Sequence, residues 1–209
     1  MYCVLLISLL ISCRNIETPS YLEILIAGSL TDSKYSNSYF GLDVTLPKDW
    51  IILNKKQIQE RKQMGLDLFF KSIDTTDLDV NKEPRFLINI NKYPRDAQEA
   101  LQGNGGFQIS FLKKSYFPDH SGDSFLGKER QIVLGSKNFE NISELQSVSI
   151  GGKYFYTFSS ELHLRGFIVQ QRSFILEIRN CFLLIDISYR GDFIKPEIDG
   201  ILKSITFSN

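Results

Sequence analysis

The chain has 209 residues, 43% hydrophobic and 23% charged, which is ordinary globular material for one domain or a domain with a tether. A chain of this length buries about 70% of its unfolded surface, so neither a metal nor a disulfide is needed to hold a core, and 16 Phe, 9 Tyr and 1 Trp supply much of it. Lys plus Arg and Asp plus Glu stand at 24 each, so no global field draws the molecule toward phosphate backbones, and nucleic acid is excluded as an expected partner.

Residues 3–12 form an apolar run, "CVLLISLLIS", with Cys13 directly after it. The run has the length of a signal-peptide core and falls well short of the roughly 18 to 20 residues that span a bilayer as a helix. Its ending, Leu10, Ile11, Ser12, Cys13, resembles the lipobox of bacterial lipoproteins. That resemblance implies a diacylglycerol on the Cys13 thiol, removal of residues 1–12, and palmitate among the acyl chains. Each buried methylene contributes about 0.8 kcal/mol, so two or three chains anchor stably where one is marginal. No Lys or Arg precedes the run, which predicts a start codon further upstream. The alternative is a buried amino-terminal strand, because a Val, Leu and Ile run reads that way too.

Within a mature chain beginning at Cys13, Cys181 stands alone, and no intramolecular disulfide can form. Residues 13–34, with Pro19, Ser20, Gly28, Ser29, Asp32 and Ser33 around an apolar patch from Tyr21 to Ala27, read as a flexible tether. A single domain then covers 35–209. Alternation of Phe40, Leu42, Val44 and Leu46 predicts a strand with one buried face, ended by Pro47, and Trp50, Ile51 and Ile52 return the chain to the core.

Asn54 and Gln57 form a capping box for a short helix that Gly65 stops. "LDLFFKSI" and "RFLININ" are candidate strands on either side of the acidic loop "DTTDLDVNKEP". Asp96 and Glu99 make a second capping box, for a helix broken at residues 103–106, "GNGG". From Leu145 onward the pattern is strand after strand. Gly151 with Gly152, and Arg179 with Asn180, fit two-residue hairpin turns. Positions 181, 183, 185, 187 and 189 share one face of a strand, which makes Cys181 a small buried hydrophobe. Pro196 opens a last helix with apolar positions 198, 201, 202 and 205, followed by a terminal "SITF" strand. Strands flanked by a few helices make an α+β domain.

The pair "YFGLDVTLPKDW" and "LLIDISY…ILKSITF" resembles the PsbP-like superfamily, which includes DcrB-type bacterial lipoproteins, over Tyr35 to Phe207. The resemblance implies an antiparallel β-sheet with helices packed on it, and members that bind partners or act as accessory proteins. It carries over no catalytic residue.

Candidate chemistry is sparse. Gly122, Asp123, Ser124 and Phe125 echo the "GDS" block of lipases and esterases in which the serine is the nucleophile, so Ser124 is the alternative catalytic residue. That block should end an apolar strand, whereas "FPDHS" precedes it, no Asp-x-x-His follows, and a turn on a loop is the simpler reading. Asp77, Asp79, Asn81 and Glu83 alternate as in a calcium loop, but Lys82 stands where glycine is needed and Ile88 where a bidentate Glu is needed. Two His and one free Cys give no zinc set, and "GNGGF" lacks the Lys and Ser or Thr of a phosphate loop, so no cofactor or metal is expected. Asn141, Ile142 and Ser143 match a glycosylation acceptor by chance. The resulting expectation is a lipid-anchored, non-enzymatic lipoprotein of the bacterial cell envelope that binds an envelope protein or a small ligand. The alternative is a lipid-anchored serine hydrolase. Arg14 in place of an aspartate after Cys13 leans the location toward the outer membrane.

Overall fold

The computed structural model describes residues 19–54, 56–59, 84–94, 97–164 and 166–208. The chain enters through helix α1 (Tyr21–Ile26) and strands β1 (Gly28–Thr31), β2 (Lys34–Asn37) and β3 (Leu42–Thr45). Next come β4 (Ile51–Ile52), β5 (Arg85–Asn91), α2 (Glu99–Gln102), β6 (Asn104–Lys113) and α3 (Gly122–Leu134). Strands β7 (Phe139–Glu140), β8 (Gln146–Ile150), β9 (Lys153–Leu164), β10 (Phe167–Ile178) and β11 (Cys181–Arg190) follow, and α4 (Lys195–Ser204) with β12 (Thr206–Phe207) closes the chain.

Among the described residues the strands form two antiparallel sheets. The larger has eight strands in the order β4-β5-β6-β11-β10-β9-β7, with β8 along the other half of the outer edge of β9. The smaller has the order β1-β2-β3-β12. Two turns set the register of the long strands: Gly151 and Gly152 (φ 57° and 78°) between β8 and β9, and Arg179 and Asn180 (φ 49° and 59°) between β10 and β11. Both pairs hold the left-handed conformation that matches the right-handed twist of a hairpin.

The core lies on both faces of the large sheet. On one face, Phe155, Phe174, Leu183 and Ile185 pack with Phe40, Leu42 and Val44 of the small sheet and with Ile198 and Ile201 of α4. On the other, Phe158, Ile175, Phe182 and Leu184 pack with Leu126 and Val133 of α3. Strand β11 lies between β6 and β10 and is covered on both sides, so Phe182 and Leu184 are as closed off as the odd-numbered set that includes Cys181. Gly105 is required by close approach, because a Cβ there would sit 2.6 Å from Ile194 Cγ2 and 2.8 Å from the Trp50 ring.

Several expectations change. Residues 19–34 are folded rather than a tether. Ser20 caps α1 in a reciprocal capping box with Glu23, Ile24 is fully buried, and Asp32 and Ser33 (φ 47° and 66°) make the turn of a β1–β2 hairpin. Of the polar and small residues that suggested a tether, Ser20 is a cap, Asp32 and Ser33 are turn residues, and Gly28 and Ser29 lie in β1. Ile52 is 49% exposed on the edge strand β4, so only Trp50, at 6%, returns fully to the core. The box at Asn54 and Gln57 forms as expected, each backbone N–H donating to the other's side-chain oxygen at 2.9 and 3.0 Å. Gly65 and the strand "LDLFFKSI" lie outside the described residues. So does Asp96, and α2 begins at Glu99 behind Gln98, which makes no side-chain capping bond. The break at "GNGG" is real: β6 starts at Asn104.

Candidate functional site

On the α4 face of the large sheet, the apolar pattern of β10 fails part-way along the strand. Phe174 and Leu176 belong to the core, whereas Arg172 and Gln170, the next residues on that face, do not. On β9 their cross-strand neighbours are polar as well, while on β11 Arg172 faces the buried Ile187. Arg172 pairs with Ser159 on β9, and Gln170 pairs with Glu161 on β9 and Tyr189 on β11. The outcome is an open hollow of about 230 Å³ where the core ends, floored by Arg172 and bounded by Thr157, Ser159, Gln170 and Tyr189, with Ser143 and Gln146 at its rim.

Arg172 is held firmly from below. Its guanidinium lies 4.6 Å from the centroid of the Phe174 ring, and Nε donates to Thr157 Oγ1 at 3.3 Å. Among the described residues no carboxylate forms an ion pair with it. Asp199 on α4 acts on the guanidinium electrostatically, but its Oδ2 is engaged by Lys195 Nζ at 2.6 Å. Burial lowers the pKa of Arg172 from the ordinary arginine value, with Asp199 and Tyr189 acting against that. Tyr189 is itself half-buried, and burial pushes its hydroxyl up.

A carboxylate stands beside the hollow, bonded to one of its lining residues. Glu161 accepts from Gln170 Nε2 at 2.9 Å and from Asn141 Nδ2 at 2.6 Å, and these bonds hold its carboxyl below the usual carboxylate range. At the rim, Ser143 Oγ accepts from the Ser159 backbone N–H at 2.9 Å and donates to Glu144 O at 3.2 Å. The hollow therefore offers a cation, hydroxyls and amides, with no imidazole against any of its serines among the described residues. Such a set can hold a polar ligand in one orientation. It contains no paired nucleophile and base.

A second polar group lies on the α3 face. Asn89 Nδ2 donates to Gln108 Oε1 at 3.0 Å, Gln108 Nε2 to Asp186 Oδ2 at 2.8 Å, and Ser173 Oγ to Asp186 Oδ1 at 3.0 Å, a row across β5, β6, β11 and β10. Glu129 of α3 has its carboxyl pushed up to about 8, by burial first and by the Asp186 charge second. The row is a bonded framework for the sheet.

The sequence-derived sites fare as follows. Cys13 and the calcium-like positions Asp77, Asp79, Asn81 and Glu83 lie outside the described residues. Ser124 is not on a loop but in the first turn of α3, exposed, with Ser121 as N-cap. Phe125, Leu126 and Val133 at helical spacing bury the inner face of this helix, a pattern hidden by reading "GDSF" as a motif. His120, four residues earlier, has Nε2 2.6 Å from Lys128 Nζ and no bond to Ser124 among the described residues. His163 sits 3.6 Å from Glu140 and from Glu161, at the end of β9. Cys181 is fully buried, and burial raises its thiol. Among the described residues, no three His, Cys, Asp or Glu side chains stand together as a metal site, and no helix is long and apolar enough to cross a membrane.

No family model and no curated protein matches the sequence. Solved structures do match. Cyanobacterial PsbP from Synechocystis is 14% identical, with 88% of this chain and 99% of that chain covered and a TM-score of 0.47. LpqN, described as involved in cell envelope biogenesis of Mycobacterium tuberculosis, is 12% identical over 80% of this chain and 83% of its own, with a TM-score of 0.46. A Pseudomonas aeruginosa protein of unknown function is 13% identical over 51% of this chain and 74% of its own, with a TM-score of 0.42. At these values no activity, ligand or partner passes from them to this chain, and the α+β class rests on the elements themselves.

Proposed function

We propose that the chain is a binding protein of the bacterial cell envelope, anchored by lipid on Cys13, that holds a small ligand in the Arg172 hollow and does not transform it. The observation that carries this reading is the hollow itself: a half-buried arginine without a carboxylate partner among the described residues, ringed by hydroxyls and amides. The lipobox-like ending at Cys13 supports the anchor, and the placement of Ser124 on an exposed helix turn without a histidine bonded to it favours binding over hydrolysis. With the first described residues folded from Ser20 onward, a lipid on Cys13 leaves only a few residues between membrane and domain, so the domain sits close to the surface.

Two labelling reactions on the full chain test this. Radiolabelled palmitate is expected to enter the wild type and not Cys13→Ala, and a fluorophosphonate probe is expected to leave the protein unlabelled. Absence of palmitate from the wild type would remove the anchor. Fluorophosphonate labelling that disappears in Ser124→Ala would replace the binding reading with a serine hydrolase.

A further inference from the structure

We infer that the hollow is a carboxylate-binding site and that its ligand is a small organic acid held through one carboxylate by Arg172; this rests on the reading that the hollow binds a ligand. Arg172 Nε is occupied by Thr157 Oγ1, and the Phe174 ring covers one face of the guanidinium. Among the described residues, the two Nη groups have no hydrogen-bond partner. They leave one edge of a planar fork directed away from Thr157, the arrangement that takes two carboxylate oxygens side by side.

The guanidinium is half-buried with its Nη groups open to the hollow, and an anion brought to it there is attracted more strongly than at a fully exposed lysine. Thr157 and Ser159 hydroxyls and the Gln170 amide stand around the same space for the remaining polar atoms of the ligand. Three features narrow the class. The volume, about 230 Å³, lies below that of pockets for drug-sized molecules, roughly 300 to 1,000 Å³, so the ligand is small. Glu161, beside the hollow and two register positions from the Arg172–Ser159 pair, has its carboxyl held below the usual range by Gln170 and Asn141 and opposes a second negative charge. A planar carboxylate matches the fork, whereas a phosphate dianion meets Glu161 as well.

The test is a titration of the full chain, labelled with 15N in arginine, with acetate, inorganic phosphate and neutral acetamide, following the Arg172 Nε–H resonance and the melting temperature. Acetate is expected to shift the resonance saturably, with phosphate and acetamide at least about tenfold weaker. In Arg172→Gln, acetate binding, followed calorimetrically, should fall by about tenfold or more, while Arg172→Lys, which keeps the charge without the fork, loses less. Equal affinity for acetate and acetamide, or acetate binding unchanged in Arg172→Gln, would overturn the carboxylate assignment while leaving a ligand site in place. Tighter binding of phosphate than acetate overturns it also. If none of the three perturbs Arg172, both the assignment and the ligand reading fall.

Discussion

Trp50 Nε1 donates to Glu197 Oε2 at 2.7 Å, and the same oxygen accepts from Lys92 Nζ at 2.8 Å. Lys92 also reaches the Asp49 carboxylate, so one ammonium ties the approach to β4, the end of β5 and the first turn of α4 together. Burial alone would lower the lysine pKa, and the two carboxylates outweigh it and raise it.

Glu197→Ala is therefore expected to leave the indole N–H without its acceptor and the 9% exposed lysine with one carboxylate fewer. The Glu197 side chain is itself 32% exposed, so the loss is discounted for solvent to roughly 1–3 kcal/mol, read from urea unfolding. Glu197→Gln keeps an acceptor and should lose less. A midpoint unmoved by the alanine change would show that the cluster contributes nothing.

Stability should also fall as pH rises toward 8. Below the ordinary carboxyl range, Glu129 is protonated in both states. Between that range and about 8 the unfolded chain has lost this proton while the native chain keeps it, so the native state is progressively disfavoured; above 8 the effect levels off. Chemical unfolding at pH 5 and pH 8.5 should differ by roughly a few kcal/mol from this source. Glu129→Gln should flatten the difference. Parallel pH profiles for wild type and variant would remove Glu129 from the account.

The two turn glycines should respond differently to a methyl group. Both hold positive φ, but a Cβ on Gly151 would sit 2.7 Å from the Ile205 carbonyl oxygen, whereas one on Gly152 meets nothing within 4 Å. Gly152→Ala should cost about 1 kcal/mol of conformational strain, and Gly151→Ala clearly more because β12 must move. Equal shifts in melting temperature would contradict the contact.

What was legible in the sequence is what short-range chemistry dictates. Phe40, Leu42, Val44 and Leu46 alternate and all are buried, the "GG" and "RN" pairs turn their hairpins, and Pro196 lies in the first turn of a helix whose Ile198 and Ile201, with Ile205 at its C-cap, are buried. Where one residue type serves two purposes, composition misleads. Ser20, Asp32 and Ser33 are tether-like by composition and act as cap and turn residues, Ser20 for the helix that buries Ile24 and the other two for the β1–β2 hairpin.

The hollow was missed for a related reason. In "FIVQQRSFILEI" the alternation that places Phe174 and Leu176 inside runs backward through Arg172 and Gln170, so a charged residue stands at a core-facing position. That break in phase was the available signal. Its meaning depends on Thr157, Ser159 and Tyr189 arriving from β9 and β11, which only the register of three strands reveals.

Occupancy of the Arg172 hollow by a small organic acid that is not turned over can be read directly. The most direct measurement is to purify wild-type and Arg172→Gln full-length protein from its own envelope, denature both, and identify the small molecules released. One organic acid, chemically intact, is expected from the wild type and none from the variant. Equal release from both, or no acid from either, would contradict it.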